Sequence, residues 1–254
     1  MISDSNDRSR TTVYYLPGAG GELRTGLGQG ILSRGFEVMG RETRGDFQRL
    51  EFQEKIDLIA QDLRQHFWRP DAHVVCNSYG AYLFFHAQAG LAPFPGRLLL
   101  LSPIVGHFIN EDIHRGYVPP RSARLKELVE ARRFPTPLNA EIHVGSDDWQ
   151  SHPEAVSEFG RATGIPVNVI PGRGHELGRD VVGPLLDRFL QAGIKTREVQ
   201  ANRTCTEVTR AQTEQAKKRV RDLIAEGLTS GPAQAPTAQR IVQLKAQALG
   251  PKRQ

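Results

Sequence analysis

Short apolar runs alternate with amphipathic ones along most of the chain. "TVYYLPGAGG" is rich in β-formers and ends in a glycine loop, "GLGQGILSRG" reads as a short helix stopped by Gly35, and "FEVMGRE" reads as the next strand. "FQEKIDLIAQDLRQHF" places Ile56, Ile59, Ala60 and Leu63 at helical spacing. "HVVCNS" is a strand and "YGAYLFFHAQAGL" the helix that leaves it. "GRLLLLSPIV" is a continuous apolar run of the kind buried on both faces of a parallel sheet. After a break the pattern resumes with the strand "AEIHVG", the helix "EAVSEFGRATG", the strand "PVNVIPG" and the helix "VVGPLLDRFLQAG". Six strands separated by helices, without internal repeats, predict an α/β fold. Its sheet is mostly parallel, with helices on both faces.

Two segments depart from this pattern. The stretch 106–139 holds "GYVPPR", a helix-like "ARLKELVEARR" and "FPTP", and falls where an insertion forms a short cap over one edge of the sheet. Beyond residue 194, "RAQTEQAKKRVRDLIAEGL" and "AQRIVQLKAQAL" predict two helices separated by the Gly/Pro break "TSGPAQAPT". The expected organisation is therefore a disordered start at 1–10, an α/β domain over 11–194 and a helical C-terminal extension over 195–254.

Charge sharpens that last boundary. The extension carries twelve Lys/Arg against five Asp/Glu, while the rest of the chain has a small acidic excess. The pI near 9.4 is thus a property of the tail. A basic amphipathic helix is most often a solvated face, and the functional alternatives are docking to an acidic protein, nucleic-acid contact and membrane-surface contact. No aromatic residue follows Phe189, so stacking on nucleic-acid bases and anchoring at a lipid interface lack their usual side chains. "IAEGLTSGPA" has a faint likeness to the toxin-facing end of ribbon-helix-helix antitoxins, a hint of partner binding. No apolar run reaches the length of a membrane span. The polar start "MISDSNDRSRTT" is unlike a secretory signal, so a cytoplasmic protein is expected. Cys76 and Cys205, one in an apolar run and one in a polar segment, predict neither a disulfide nor a metal site.

In an open parallel sheet, active sites form at the carboxyl ends of strands. Ser78 follows the strand "HVVCN", Asp147 and Asp148 follow "AEIHVGS", and His175 follows "PVNVIPGRG". A serine nucleophile needs a base to take its proton and an acid to orient that base. Each residue also has an ordinary alternative: Ser78 as a helix N-cap, the aspartates as loop solvation, and His175 as a surface histidine. The other histidines read as structural or exposed, and no metal or cofactor is expected.

In that order and setting, "YYLPGAGG", "CNSYGA", "VGSDDWQSHP" and "IPGRGHE" resemble the motifs of a compact α/β-hydrolase over residues 11–193. The resemblance implies Ser78 as nucleophile, His175 as general base and then acid, and Asp148 as the orienting acid, with Asp147 the alternative. It implies an oxyanion hole from the backbone N–H groups of Tyr79 and of Ala19, with Gly20 a second choice in that loop. The sequence departs from the usual G-x-S-x-G elbow at one place, where Cys76 stands for the first glycine. The loop "PGAGG" lacks the Gly-Lys-Ser/Thr ending of a phosphate-binding loop. The expected function is a serine hydrolase acting on an ester, thioester or related acyl bond of a small molecule. The competing expectation is a binding protein that keeps the scaffold, has little or no activity and works through its basic tail.

Overall fold

The computed structural model describes residues 12–111 and 114–191 together with Lys218. The chain divides into two units, Met1–Gln191 and Ala192–Gln254. The two helices expected in the tail and the disordered start expected at 1–10 lie outside the described residues.

The first unit runs β1 (Thr12–Leu16), α1 (Gly26–Leu32), β2 (Glu37–Gly40), α2 (Gly45–Arg49) and α3 (Phe52–Asp62). A π-helical turn, Leu63–Phe67, extends α3 before β3 (His73–Asn77), α4 (Tyr79–Gln88) and β4 (Arg97–Leu101). Then come β5 (Phe108–Asn110), β6 (Arg115–Tyr117), α5 (Ser122–Glu130), β7 (Asn139–Gly145), α6 (Pro153–Thr163) and β8 (Val167–Ile170), and helix α7 spans 179–191. Six strands form one parallel sheet in the order β2-β1-β3-β4-β7-β8. All six strands expected from the apolar runs are present. The short helix α2 and the antiparallel hairpin β5–β6 were not anticipated, because neither is long enough to show a period.

Strand side chains alternate between two apolar layers, which is why the central strands read as unbroken hydrophobic runs. Tyr14, Leu16, Val74, Cys76, Leu98, Leu100, Ile142 and Val144 pack into one layer with Ile56 and Ile59 of α3, Leu83 of α4 and Phe159 of α6. Val13, Tyr15, Val75, Leu99 and Leu101 pack into the other with Ile31 of α1 and Leu186 and Phe189 of α7. Helix ends carry local stop and start signals. Glu51 and Glu54 form a reciprocal capping box at the start of α3, while α6 opens on Pro153 and closes on Gly164 in the left-handed conformation. Among the described residues, no helix is long and apolar enough to cross a membrane.

One buried polar cluster locks α3 to the sheet. The Tyr14 hydroxyl donates to Asp62 at 2.8 Å, and Arg41 grips the same carboxylate with two bonds of 2.7 Å. Burial, and then the adjacent Asp62 charge, pushes the Tyr14 phenol well above its ordinary range. Removing the carboxylate leaves a buried hydroxyl and a half-buried guanidinium without their partner. Asp62→Ala is therefore expected to cost about 3 kcal/mol of unfolding free energy in urea titrations. Tyr14→Phe, which removes one donor and leaves the ion pair, is expected to cost about 1 kcal/mol.

Candidate active site

Ser78 occupies the turn between β3 and α4 with φ 51° and ψ −119°, a backbone conformation that an L-residue rarely adopts. Its surroundings hold it there. The Ser78 N–H donates to the Leu101 carbonyl at 2.9 Å, and its own carbonyl accepts from Ala81 at 3.1 Å and Ile104 at 3.3 Å. The turn also needs a close backbone approach, and that approach falls at Gly80. A Cβ there would lie 2.2 Å from the Leu16 carbonyl oxygen and 2.6 Å from that of Pro17. Cys76, where the usual motif has its first glycine, is fully buried in the layer under α3 and α4. Burial alone raises its thiol well above the ordinary range, so it is held as the neutral group.

Asp148 and His175 are brought together by the loops after β7 and β8. Gly145 ends β7 where a Cβ would meet the Arg173 carbonyl oxygen at 2.0 Å, so the histidine loop packs directly on the strand end. The Asp147 N–H donates to that same carbonyl at 2.8 Å, and Gly172 donates to the Ser146 hydroxyl at 2.8 Å. This places His175 Nδ1 3.0 Å from both carboxylate oxygens of Asp148 and His175 Nε2 2.8 Å from Ser78 Oγ. Because a carboxylate only accepts, Nδ1 carries the proton and Nε2 is free to accept from the serine hydroxyl. Asp147 points away: it is exposed, and its carboxylate accepts from the Ser146 hydroxyl. Ser78 sits at the N-cap position of α4, yet its side chain makes no capping bond.

Three structural neighbours place the sheet and its helices among known folds. Alpha/beta hydrolase domain-containing protein 10 from mouse superposes with a TM-score of 0.54 at 10% identity, covering 73% of this chain and 90% of that one. The ydeN gene product of B. subtilis gives 0.51 at 11% identity, covering 71% and 98%. A structure described with carboxylesterases of the ammonia-oxidizing thaumarchaeon Nitrososphaera gargenis gives 0.50 at 15% identity, covering 73% and 91%. The chain has the α/β-hydrolase fold. No family model and no curated protein matches it.

Within this hydrolase fold, two supporting residues escaped the sequence. Ser151 donates its N–H to Asp148 at 2.9 Å and its hydroxyl to the Ser102 carbonyl at 2.8 Å, tying the acid loop to the end of β4. Its signal was the D-x-x-S spacing, a common side-chain-to-backbone turn. Thr43, in the loop between β2 and α2, braces the glycine loop after β1. Its carbonyl accepts from Gly20 at 3.1 Å, its N–H donates to Gly21 at 3.1 Å, and its hydroxyl accepts from Gly21 and donates to Gly18. The Gly20 N–H is thereby engaged. Among the described residues, the N–H groups of Ala19 and Tyr79 donate to no protein acceptor. Nothing local marks Thr43, because its partners lie more than twenty residues away.

A cleft of about 430 Å³ opens over Ser78. Ala19, Tyr79 and Gln150 line it beside the serine, and Phe108 and Tyr117 bring the β5–β6 hairpin over it. Within 106–139 it is this hairpin that lines the cleft, whereas Leu125, Leu128 and Val129 of α5 pack into the apolar layer of α3, α4 and α6. Trp149 does not line the cleft and instead meets the Phe108 ring edge-on at 5.6 Å, while His152 occupies the N-cap position of α6 without a side-chain capping bond. Three other histidines, His73, His86 and His143, are buried in the fold. Burial, helped by Arg121, pulls the His86 imidazole down to about 4.

Burial opposes the Asp148 charge, but hydrogen bonds from His175, Ser151 and Gln150 outweigh it and hold the carboxyl below its ordinary value. The stability this contributes is complete above the unfolded aspartate pKa, about 3.9, and is lost as pH falls through the lower folded value. Asp148→Asn is expected to remove that part of the acid-denaturation slope, read as unfolding free energy from pH 5 downward in wild type and variant. At the turn, Gly80→Ala forces a methyl into the Leu16 carbonyl and is expected to prevent soluble folding. Cys76→Ala only trims a buried side chain and is expected to cost about 1–2 kcal/mol in a thermal melt.

Proposed function

We propose that the protein is a serine hydrolase that cleaves an ester, thioester or related acyl bond through an acyl-enzyme intermediate. The observation that carries the proposal is the unbroken chain of hydrogen bonds Ser78 Oγ to His175 Nε2 at 2.8 Å and His175 Nδ1 to Asp148 at 3.0 Å. Its Ser78 end opens into the cleft. A serine placed there only to cap a helix would accept a hydrogen bond from a backbone N–H of α4 through its side-chain oxygen, and Ser78 does not.

In the first step Ser78 Oγ attacks the acyl carbon as its proton passes to His175 Nε2. The tetrahedral oxyanion is held by the N–H groups of Ala19 and Tyr79, with the start of α4 adding its dipole. The bond to the leaving oxygen or sulfur then breaks, and that atom takes the proton from His175. A water molecule gives a proton to His175 and attacks the acyl-serine. Collapse of the second intermediate releases the acid and returns the proton to Ser78. Asp148 remains ionised throughout, fixing the tautomer and steadying the imidazolium. Thr43 keeps the Ala19 N–H aimed at the oxyanion by bracing both sides of its loop. The chemistry requires no metal or organic cofactor.

A fluorophosphonate probe is expected to label the wild-type chain and not Ser78→Ala; equal labelling of both sinks the assignment. On a 4-nitrophenyl ester, Asp148→Asn is expected to lower kcat by about four orders of magnitude. Asp147→Asn is expected to stay within a few-fold of wild type.

A further inference from the structure

The lining of the cleft is mixed in character. Phe47, Ile104, Phe108 and Tyr117 give the cleft its apolar lining, and Thr43, Gln48, Lys55 and Gln150 its polar lining. Among the lining residues Lys55 alone bears a charge, and no carboxylate lines the cleft. Lys55 is half-buried on α3, whose apolar face is anchored by Ile56 and Ile59. Its backbone N–H donates to the Glu51 carbonyl, but among the described residues its ammonium makes no ion pair or hydrogen bond.

The nearby acids have other partners. Glu54 accepts from the Glu51 backbone in the capping box, and Asp57 accepts from Gln53. Asp62 is enclosed by Arg41 and Tyr14. A single uncompensated cation in a concave, partly dry site favours one negative charge on whatever enters it. A phosphate dianion calls for several donors, and no second lysine or arginine lines this cleft. One carboxylate matches the one charge.

We infer, resting on the acyl-hydrolase proposal above, that Lys55 selects substrates carrying a carboxylate beside the scissile acyl bond. The apolar lining takes the hydrocarbon part, and Lys55 pairs with the acid. The preferred class is thus a half-ester or half-thioester of a dicarboxylic acid, or an acyl ester whose alcohol bears the carboxylate.

Matched pairs of chromogenic esters test this: 4-nitrophenyl hemiglutarate against 4-nitrophenyl pentanoate for the acyl arm, and 4-carboxyphenyl against phenyl pentanoate for the alcohol arm. Wild type is expected to favour one anionic member by about tenfold in kcat/KM. The preference is expected to shrink at high salt, vanish in Lys55→Gln, reverse in Lys55→Glu and persist in Lys55→Arg. Equal turnover within both pairs, or a preference that survives Lys55→Gln, overturns the inference. If none of these esters is hydrolysed, the acyl-hydrolase proposal fails on its own. Calorimetric titration of Ser78→Ala with the same pairs still decides Lys55. Tighter binding of an anionic member that is lost in the Ser78→Ala/Lys55→Gln double variant supports it, and equal binding overturns it.

Discussion

The rest of the site depends on the strained backbone of Ser78. A φ of 51° with ψ of −119° is unfavourable for a serine and persists only where its neighbours over-determine it. Here they do: the N–H is held by Leu101, the carbonyl by Ala81 and Ile104, and Gly80 lets the start of α4 press against the end of β1. Leu101 and Leu16 end strands β4 and β1, Ile104 follows β4, and Gly80 and Ala81 form the first turn of α4, so the sheet and the helix leaving it together sustain the strain. In return, the hydroxyl is turned out of the turn toward His175 instead of folding back onto its own helix.

The electrostatics of the site follow a similar logic of opposing terms. Burying Asp148 disfavours its charge, and two backbone N–H groups plus the His175 ring restore it. That balance leaves an ionised carboxylate in a nearly dry place, where its orientation of the imidazole is least diluted by water. Ser151 and Thr43 touch neither the serine nor the expected oxyanion. They fix loops instead, one carrying the acid and the other the Ala19 N–H. Both act by spending backbone groups that a mobile loop would leave to solvent.

Above the strand ends, the hairpin β5–β6 turns an exposed serine into the floor of a cleft. Most of the cleft's lining comes from two parts of the chain about fifty residues apart, Thr43 to Lys55 on one hand and Ile104 to Tyr117 on the other. The proposed chemistry and the inferred preference for an acid therefore rest on different elements. The strand ends hold the proton-transfer chain, and α3 with the hairpin forms the selective surface.

How much of this was legible beforehand divides along physical lines. The sequence by itself determined the six strands, their alternation with helices and the order serine, aspartate, histidine at strand ends, with Asp147 and Asp148 both open as the acid. These follow from local periodicity and from the rule that parallel strands gather their carboxyl ends on one side. Sequence also flagged Cys76 as the departure from the elbow pattern, but the close approach falls at Gly80, which pattern alone cannot weigh against it. Only the tertiary structure separated Asp148 from Asp147, because the histidine loop after β8 draws the Asp147 N–H to the Arg173 carbonyl and sets His175 against the Asp148 carboxylate. Thr43 and Lys55 were invisible for the same reason. Each gains its meaning from groups distant along the chain, and local sequence carries no record of what a fold will bring within three ångströms.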